Sequence, residues 1–264
     1  MYGAIAGDII GSETEFDPIK TKDFELFTSG CGFTDDSVMT IALMEALLKC
    51  GKDPDREAFE VQFVKSMQSW GRKYPGAGYG GTFYDWIFLK NPKPYNSWGN
   101  GSAMRVSPAG WWCDSLEDTL RLAGWSAEVT HNHPEGIKGA KSVSASIFLA
   151  RTGHSKEDIK DYVTSNFGYD LDTPLDKIRP SYIFDVSCQG SVPQSIRCFL
   201  EGTDYIDTVR NAVSLGGDSD TMGAIAGSIA EAFWGVPEAV TSIAKMFLTD
   251  EMLKIIDAFC REIS

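Results

Sequence analysis

Residues Ser214-Leu215-Gly216-Gly217-Asp218-Ser219-Asp220-Thr221-Met222-Gly223-Ala224-Ile225-Ala226-Gly227-Ser228-Ile229-Ala230 set two acids on either side of one serine and then enter a helical pattern without a gap. Met222, Ile225, Ala226, Ile229, Ala230 and Phe233 recur at i, i+3, i+4, i+7, i+8 and i+11, an apolar helical face. Gly216-Gly217 suits a tight turn with positive φ just upstream. Asp218, Ser219, Asp220 and Thr221 therefore fall on the first turn of a mostly buried helix. Asp and Ser are ordinary N-cap residues, and first-turn acids complement the helix dipole, which accounts for one acid. It does not account for two, because a cap needs one oxygen and a second close carboxylate adds repulsion.

A second cluster of the same kind lies far upstream. Thr34-Asp35-Asp36-Ser37 precedes Val38, Ile41, Ala42, Met44, Glu45, Leu47 and Leu48 at helical spacing, so Thr34 reads as an N-cap with two acids in the first turn. Between them in character is Gly7-Asp8-Ile9-Ile10-Gly11-Ser12-Glu13-Thr14-Glu15-Phe16, which leaves Asp8 and Glu15 near the end of an apolar helix over 3–11. Gly3, Gly7 and Gly11 at i, i+4, i+8 form a stripe without side chains on that helix, and Gly223 and Gly227 do the same on the later one. The stripes suit a close approach of two backbones, and plain tight packing explains them equally well.

Holding Glu15, Asp35, Asp36, Asp218 and Asp220 together in a low-dielectric site requires compensation, since like charges raise one another's pKa. No basic cluster lies beside any of the three segments. Divalent cations answer the need, and hard carboxylate and hydroxyl oxygens select Mg²⁺, Mn²⁺ or Ca²⁺ over zinc. Two further stretches bear on ligands. Ser97-Trp98-Gly99-Asn100-Gly101-Ser102 is a Gly-rich loop opening a helix, which suits an anion but is also a common turn; Arg105 could add charge there or pair with an acid elsewhere. Thr130-His131-Asn132-His133-Pro134 puts two histidines before a helix at 135–152, as ligand contacts or as structural loop residues.

The remaining pattern is helical at about 55–72, 82–89, 115–128, 155–165, 189–200, 203–213 and 237–262. Residues 17–33, 74–98 and 166–187 are irregular, with a candidate strand at 182–186. Strand alternation is nearly absent and no βαβ rhythm occurs, so the fold expected is all-α: a single compact multi-helix domain over residues 1–264, with a metal-lined cleft and long loops over it. The chain of 264 residues is long enough for one substantial core. Six scattered cysteines without C-x-x-C spacing read as reduced thiols of a cytoplasmic protein. No apolar run reaches the roughly 18 to 20 residues of a membrane span, and the opening residues lack a basic signal-peptide region. A net charge of −13 argues against binding nucleic acid along its phosphate backbone.

With these stretches assembled, the sequence resembles the ADP-ribosylglycohydrolase family, typified by the glycohydrolase that reactivates dinitrogenase reductase. The resemblance rests on Gly7–Phe16, Phe33–Ser37, Gly99–Arg105, Thr130–His133 and Gly216–Thr221, in matching order across nearly the whole chain. It implies two adjacent Mg²⁺ or Mn²⁺ ions, with Thr34, Asp35, Asp36, Asp218, Asp220 and Thr221 as ligands and Glu15 at or beside them. It implies that Ser97, Trp98, Gly99, Asn100, Gly101 and His131 hold the diphosphate and ribose of an ADP-ribosyl group on a protein or small molecule. The implied reaction is hydrolysis at the anomeric carbon by an activated water, with Glu15 or Asp36 as general base; the sequence leaves both open. Ser37 stands where the family usually has threonine, and Glu231 where a small residue is common, a departure expected to concern packing. A non-catalytic ADP-ribose binder or crystallin-like structural relative is the competing class. A metal-dependent phosphohydrolase, suggested by the D-x-D at Asp218–Asp220, is disfavoured by the missing strands.

Overall fold

The computed structural model describes residues Met1 to Ile263. It begins with α1 (Tyr2–Gly11), α2 (Asp35–Cys50), α3 (Arg56–Lys73), α4 (Gly81–Phe88), α5 (Gly101–Met104) and α6 (Ser107–Trp112). Then come α7 (Leu116–Glu128), α8 (Pro134–Arg151), α9 (Lys156–Phe167), α10 (Leu175–Ile178) and α11 (Cys188–Glu201). The chain closes with α12 (Tyr205–Val213), α13 (Ser219–Trp234), α14 (Glu238–Met246) and α15 (Asp250–Ile263). No β-strand occurs among the described residues, and the fold is all-α.

Helix α13 is the hub. Every residue from Ser219 to Ala230 is buried, and α1, α12, α11, α8 and α5 pack around it. Helix α1 is buried along its whole length. A helix apolar all round belongs in the interior, and α1 and α13 meet there in antiparallel register through their glycines. A Cβ on Gly7 would lie 2.1 Å from the Gly223 carbonyl oxygen, and one on Gly3 would lie 2.5 Å from that of Gly227. Gly11 faces Ser219 in the same way. The stripes seen in the sequence are thus a backbone-to-backbone contact that side chains would forbid. Glu231 departs from mere packing: its carboxylate accepts from the Tyr2 and Gly3 backbone N–H groups at 2.9 and 3.0 Å and pairs with the Met1 amine, capping α1.

The helices begin where short polar side chains can accept from the first turn. Thr34, Asp55, Ser115, Ser155, Ser187 and Asp204 each cap in this way. Helix α13 differs: Asp218 sits at its N-cap without a side-chain cap bond, and the Ser219 hydroxyl donates to the Gly11 carbonyl at 2.8 Å. The capping duty expected of those two residues is therefore absent. Gly216 has the positive φ the turn was expected to need, at 62°.

Three local expectations are corrected. The helix expected over 237–262 is two helices, because the Phe247–Thr249 turn ends α14 and the Thr249 hydroxyl accepts from the Met252 N–H to start α15. The candidate strand at 182–186 forms no ladder. Its end is instead tied to the Gly-rich loop by Asn100 N–H to Val186 O (2.8 Å) and Cys188 N–H to Trp98 O (3.0 Å), giving one isolated bridge between Gly99 and Ser187. Helices α6 and α10 are short pieces that the apolar period was too brief to reveal. No helix among the described residues is long and apolar enough to cross a membrane.

A carboxylate-lined cavity at the junction of α1, α2 and α13

The antiparallel register carries Asp8, one residue past Gly7, to the side of Asp220. Asp8 is fully buried and organises the start of α2. Its carboxylate accepts from Thr34 N–H (3.0 Å), Thr34 Oγ1 (2.7 Å), Ser37 N–H (3.1 Å) and the Ser37 hydroxyl. Ser37, in the position where threonine was expected, thus uses its hydroxyl to hold Asp8. Burial first, then Asp220, pushes the Asp8 carboxyl up to about 7, against the opposing pull of those donors.

Two sets of three carboxylates form around this junction. One oxygen each from Asp8, Asp36 and Asp220 lie within 4.8 Å of one another, and so do one each from Glu15, Asp218 and Asp220. Asp220 belongs to both sets. Burial and the neighbouring carboxylates hold Asp36 and Asp218 well above the usual range and push Glu15 up to about 8. Among the described residues no Lys or Arg forms a salt bridge with any of these acids. Asp36 Oδ2 accepts from Thr34 and Thr221 hydroxyls at 3.3 and 3.2 Å, while its Oδ1 is buried with no hydrogen-bond partner. Such an oxygen costs free energy unless something positive meets it. The unpartnered oxygen, the all-oxygen donor set and the shared Asp220 fit hard divalent cations.

All of these acids except Asp8 line a cavity of about 620 Å³. Glu15, Asp35, Asp36, Asp218, Asp220 and Thr221 line it, together with Ser97, Trp98, Gly99, Asn100, Gly101 and His131. Thr34 does not line it, its hydroxyl being engaged with Asp8 and Asp36. Asp35 lines it but stands outside both carboxylate sets, its N–H bonded to Ala77 O at 2.7 Å. Of the three irregular segments expected over the cleft, 74–98 and 166–187 contribute lining residues and 17–33 contributes none. The 17–33 segment is tied instead to the α12 side by Lys20, by the Lys22–Asp207 pair, and by Arg210 donating to Phe24 O at 2.8 Å.

The loop and the acids are directly linked. Asn100 is buried, and its carboxamide Nδ2 donates to Asp218 Oδ2 at 2.7 Å and to Ser191 Oγ at 3.2 Å. Across the loop, Arg105 is buried without an acid partner, so the sequence alternative of an ion pair does not hold. Its Nη2 donates to Thr130 Oγ1 at 2.8 Å and to Ser126 O at 3.0 Å. The Thr130 hydroxyl, which accepts from Arg105, is also hydrogen-bonded to His131 Nδ1 at 2.7 Å. Burial and the nearby Arg105 hold His131 well below its usual pKa, so it is neutral. A Cβ on Gly101 would come within 3.0 Å of Nε2, which is why the loop is glycine where the ring faces the cavity. His133 only caps α8, accepting from the Glu135 N–H.

Asp8 is the member of the acid cluster that sequence reasoning left without a role. The signal for it was a lone carboxylate inside the apolar run Ala4 to Ile10. Phe16, Tyr95, Phe184 and the Gly78–Phe83 stretch also line the cavity, and nothing in their local sequence spacing distinguishes them.

Fold and cavity together define an all-α protein with a carboxylate-lined ligand cleft. The ADP-ribosylglycohydrolase family model matches residues 1–263. The chain belongs to the ADP-ribosylglycohydrolase family. It is 29% identical to ADP-ribosylhydrolase ARH3 of Homo sapiens, over 92% of this chain and 86% of that protein. It is 24% identical to ADP-ribosylarginine hydrolase Tri1 of Pseudomonas putida, over 92% and 73%. A solved ADP-ribosylglycohydrolase-related protein complex shares the fold, with TM-score 0.73, 23% identity, and coverage of 99% of this chain and 95% of that one.

Proposed function

We propose that this protein is a divalent-metal-dependent hydrolase that cleaves the glycosidic bond at the anomeric carbon of an ADP-ribosyl group and releases ADP-ribose from a modified side chain. The observation carrying this reading is the pair of carboxylate sets sharing Asp220 beside a Gly-rich loop and a neutral His131 in one cavity. Asp8, Asp36 and Asp220 would hold one Mg²⁺ or Mn²⁺, and Glu15, Asp218 and Asp220 the other, with Thr34, Asp35 and Thr221 completing or ordering the shells. Bound cations would supply charge neutralisation, orientation of ribose hydroxyls and activation of water.

The chain's own groups do the rest. Within the Ser97–Gly101 loop the Gly99 and Asn100 N–H groups are already bonded, to Ser97 Oγ at 3.1 Å and Val186 O at 2.8 Å, so a diphosphate would be met by the loop's remaining polar groups and the His131 ring, and Trp98 offers a ring for stacking. A diphosphate held by the loop would leave the anomeric carbon to be met by the acids. Bond breaking builds positive charge on the ribose, which the surrounding carboxylates stabilise. As water oxygen bonds to the anomeric carbon, the acceptor atom leaves with the electron pair of the broken bond. Glu15, more exposed than Asp36 and free of the Thr34 and Thr221 donors that occupy Asp36, takes the proton from water and returns it to the acceptor.

The test is to incubate the protein with Mg²⁺ or Mn²⁺ and ADP-ribosylated arginine, serine and nucleic acid and to measure ADP-ribose released. Release from at least one linkage, lowered at least about a hundredfold in Glu15→Gln, is the expected result. Tight ADP-ribose binding without release on any linkage would show the non-catalytic binder instead.

A further inference from the structure

Arg105 has the largest fully buried side chain among the described residues. It lines the cavity beside the Gly-rich loop, and no carboxylate pairs with it. Its guanidinium lies over the Phe63 ring, 5.5 Å from the centroid, and its Nε is buried without a hydrogen-bond partner. Burying a cation this way is costly, and no step of the hydrolysis requires it.

What Arg105 does touch leads to His131. Its Nη2 donates to Thr130 Oγ1 at 2.8 Å, and the same oxygen lies 2.7 Å from His131 Nδ1. The rest of His131 is held as well. Its N–H donates to Ala127 O at 2.7 Å, and Tyr95 packs against the ring with centroids 5.9 Å apart. A Cβ on Gly136 would lie 2.7 Å from the His131 carbonyl oxygen, so α8 also closes on it. The far nitrogen, Nε2, faces the loop, where added Cβ atoms on Gly101 and Gly99 would lie 3.0 and 3.6 Å from it.

The contact between Thr130 and His131 by itself allows either partner to donate. Arg105 breaks that symmetry. A guanidinium only donates, so the Thr130 hydroxyl must accept from it. If Nδ1 donated to the same oxygen, the Thr130 proton would be left without an acceptor, since this hydroxyl makes no further hydrogen bond among the described residues. If Thr130 donates to Nδ1, all three groups are satisfied and the imidazole proton sits on Nε2. His131 then supplies a donor where the loop's Gly99 and Asn100 N–H groups are already spent.

We propose that Arg105 and Thr130 are positioning residues that keep the His131 proton on Nε2, so that the ring serves an anionic ligand group at the Gly-rich loop as a fixed donor. Identifying that anion as the diphosphate of ADP-ribose rests on the hydrolase reading above; the location of the proton does not. Arg105 and Thr130 act through His131.

The chain has three histidines, so long-range ¹H–¹⁵N NMR can resolve the tautomer of each, with His131 assigned by the signal lost in His131→Gln. Wild type is compared with Thr130→Val, which removes the hydroxyl, and Thr130→Ser, which keeps it. Calorimetry measures ADP-ribose binding to all three. Wild type and Thr130→Ser should show the Nε2–H tautomer and similar affinity. Thr130→Val should move His131 toward the Nδ1–H tautomer and bind ADP-ribose roughly tenfold more weakly. An Nδ1–H tautomer in wild type, an unchanged tautomer in Thr130→Val, or an equal loss of affinity in Thr130→Ser would overturn the proposal. If Thr130→Val does not fold, the wild-type spectrum still decides where the proton sits. If wild type does not bind ADP-ribose, the hydrolase reading fails, and the spectra still decide the roles of Arg105 and Thr130.

Discussion

At Asp36 one carboxylate oxygen accepts from two threonines and the other is buried without a partner. A side chain in that state destabilises the metal-free fold and strengthens cation binding, so one substitution should move the two properties in opposite directions. Asp36→Asn is expected to abolish Mn²⁺ binding measured by calorimetry while raising the melting temperature measured in chelator. Unchanged Mn²⁺ binding would remove Asp36 from the ligand set. Asn100 acts one step away, since its carboxamide fixes Asp218 Oδ2. Residues that orient metal ligands typically alter affinity by about 10–100-fold when removed. Asn100→Ala should therefore weaken Mn²⁺ binding roughly tenfold without altering the circular dichroism spectrum.

Between elements, the decisive contact is the crossing of α1 and α13. A Cβ on Gly7 would meet the Gly223 carbonyl at 2.1 Å, a backbone atom that cannot swing aside. Gly7→Ala should cost about 2–3 kcal/mol by urea denaturation, at the upper end of ordinary overpacking. Gly32→Ala, with nothing within 4 Å of the added carbon, is the matched control and should cost far less. Equal losses in the two variants would mean that the helix crossing tolerates separation. The glycine stripes were legible in the sequence as repeats of four, but the register pairing Gly7 with Gly223 was not. That register is what brings Asp8 to Asp220. The role of Asp8 was illegible for the same reason, since no local spacing links it to Thr34 or Ser37.

For the whole molecule, the carboxylate junction ties stability to pH and, on the proposed metal-binding reading, to cations. Asp8 and Glu15 have ordinary values of 3.8 and 4.5 and are pushed up to about 7 and about 8 in the fold. Each therefore binds its proton more tightly when folded, and that contribution is lost as pH rises through the interval between the two values. In chelator, the melting temperature should fall as pH is raised from about 5 to about 8, and Mg²⁺ or Mn²⁺ should reverse the trend by favouring the ionised forms. A melting temperature that rises over that range in chelator would contradict the burial of these acids. The paired clusters Thr34–Ser37 and Asp218–Thr221 could be read from residue type and spacing, because each opens its own helix and the excess acid is visible locally. Asp35, placed in the same local pattern, stands outside both carboxylate sets, a difference of side-chain direction that spacing does not encode.

The sequence by itself determined the helical class, the starts of most helices, the two acid clusters, the Gly-rich loop and the need for a positive charge among the acids. These follow from periodicity, capping chemistry and the cost of like charges, all of which act over a few residues or through composition. Tertiary structure decided the antiparallel register of α1 and α13, the placement of Asp8, the sharing of Asp220 between two carboxylate sets and the meeting of Phe16 with Phe184. Those depend on contacts between segments far apart in the chain, some by more than two hundred residues, where the packed backbone rather than any local preference fixes which groups meet.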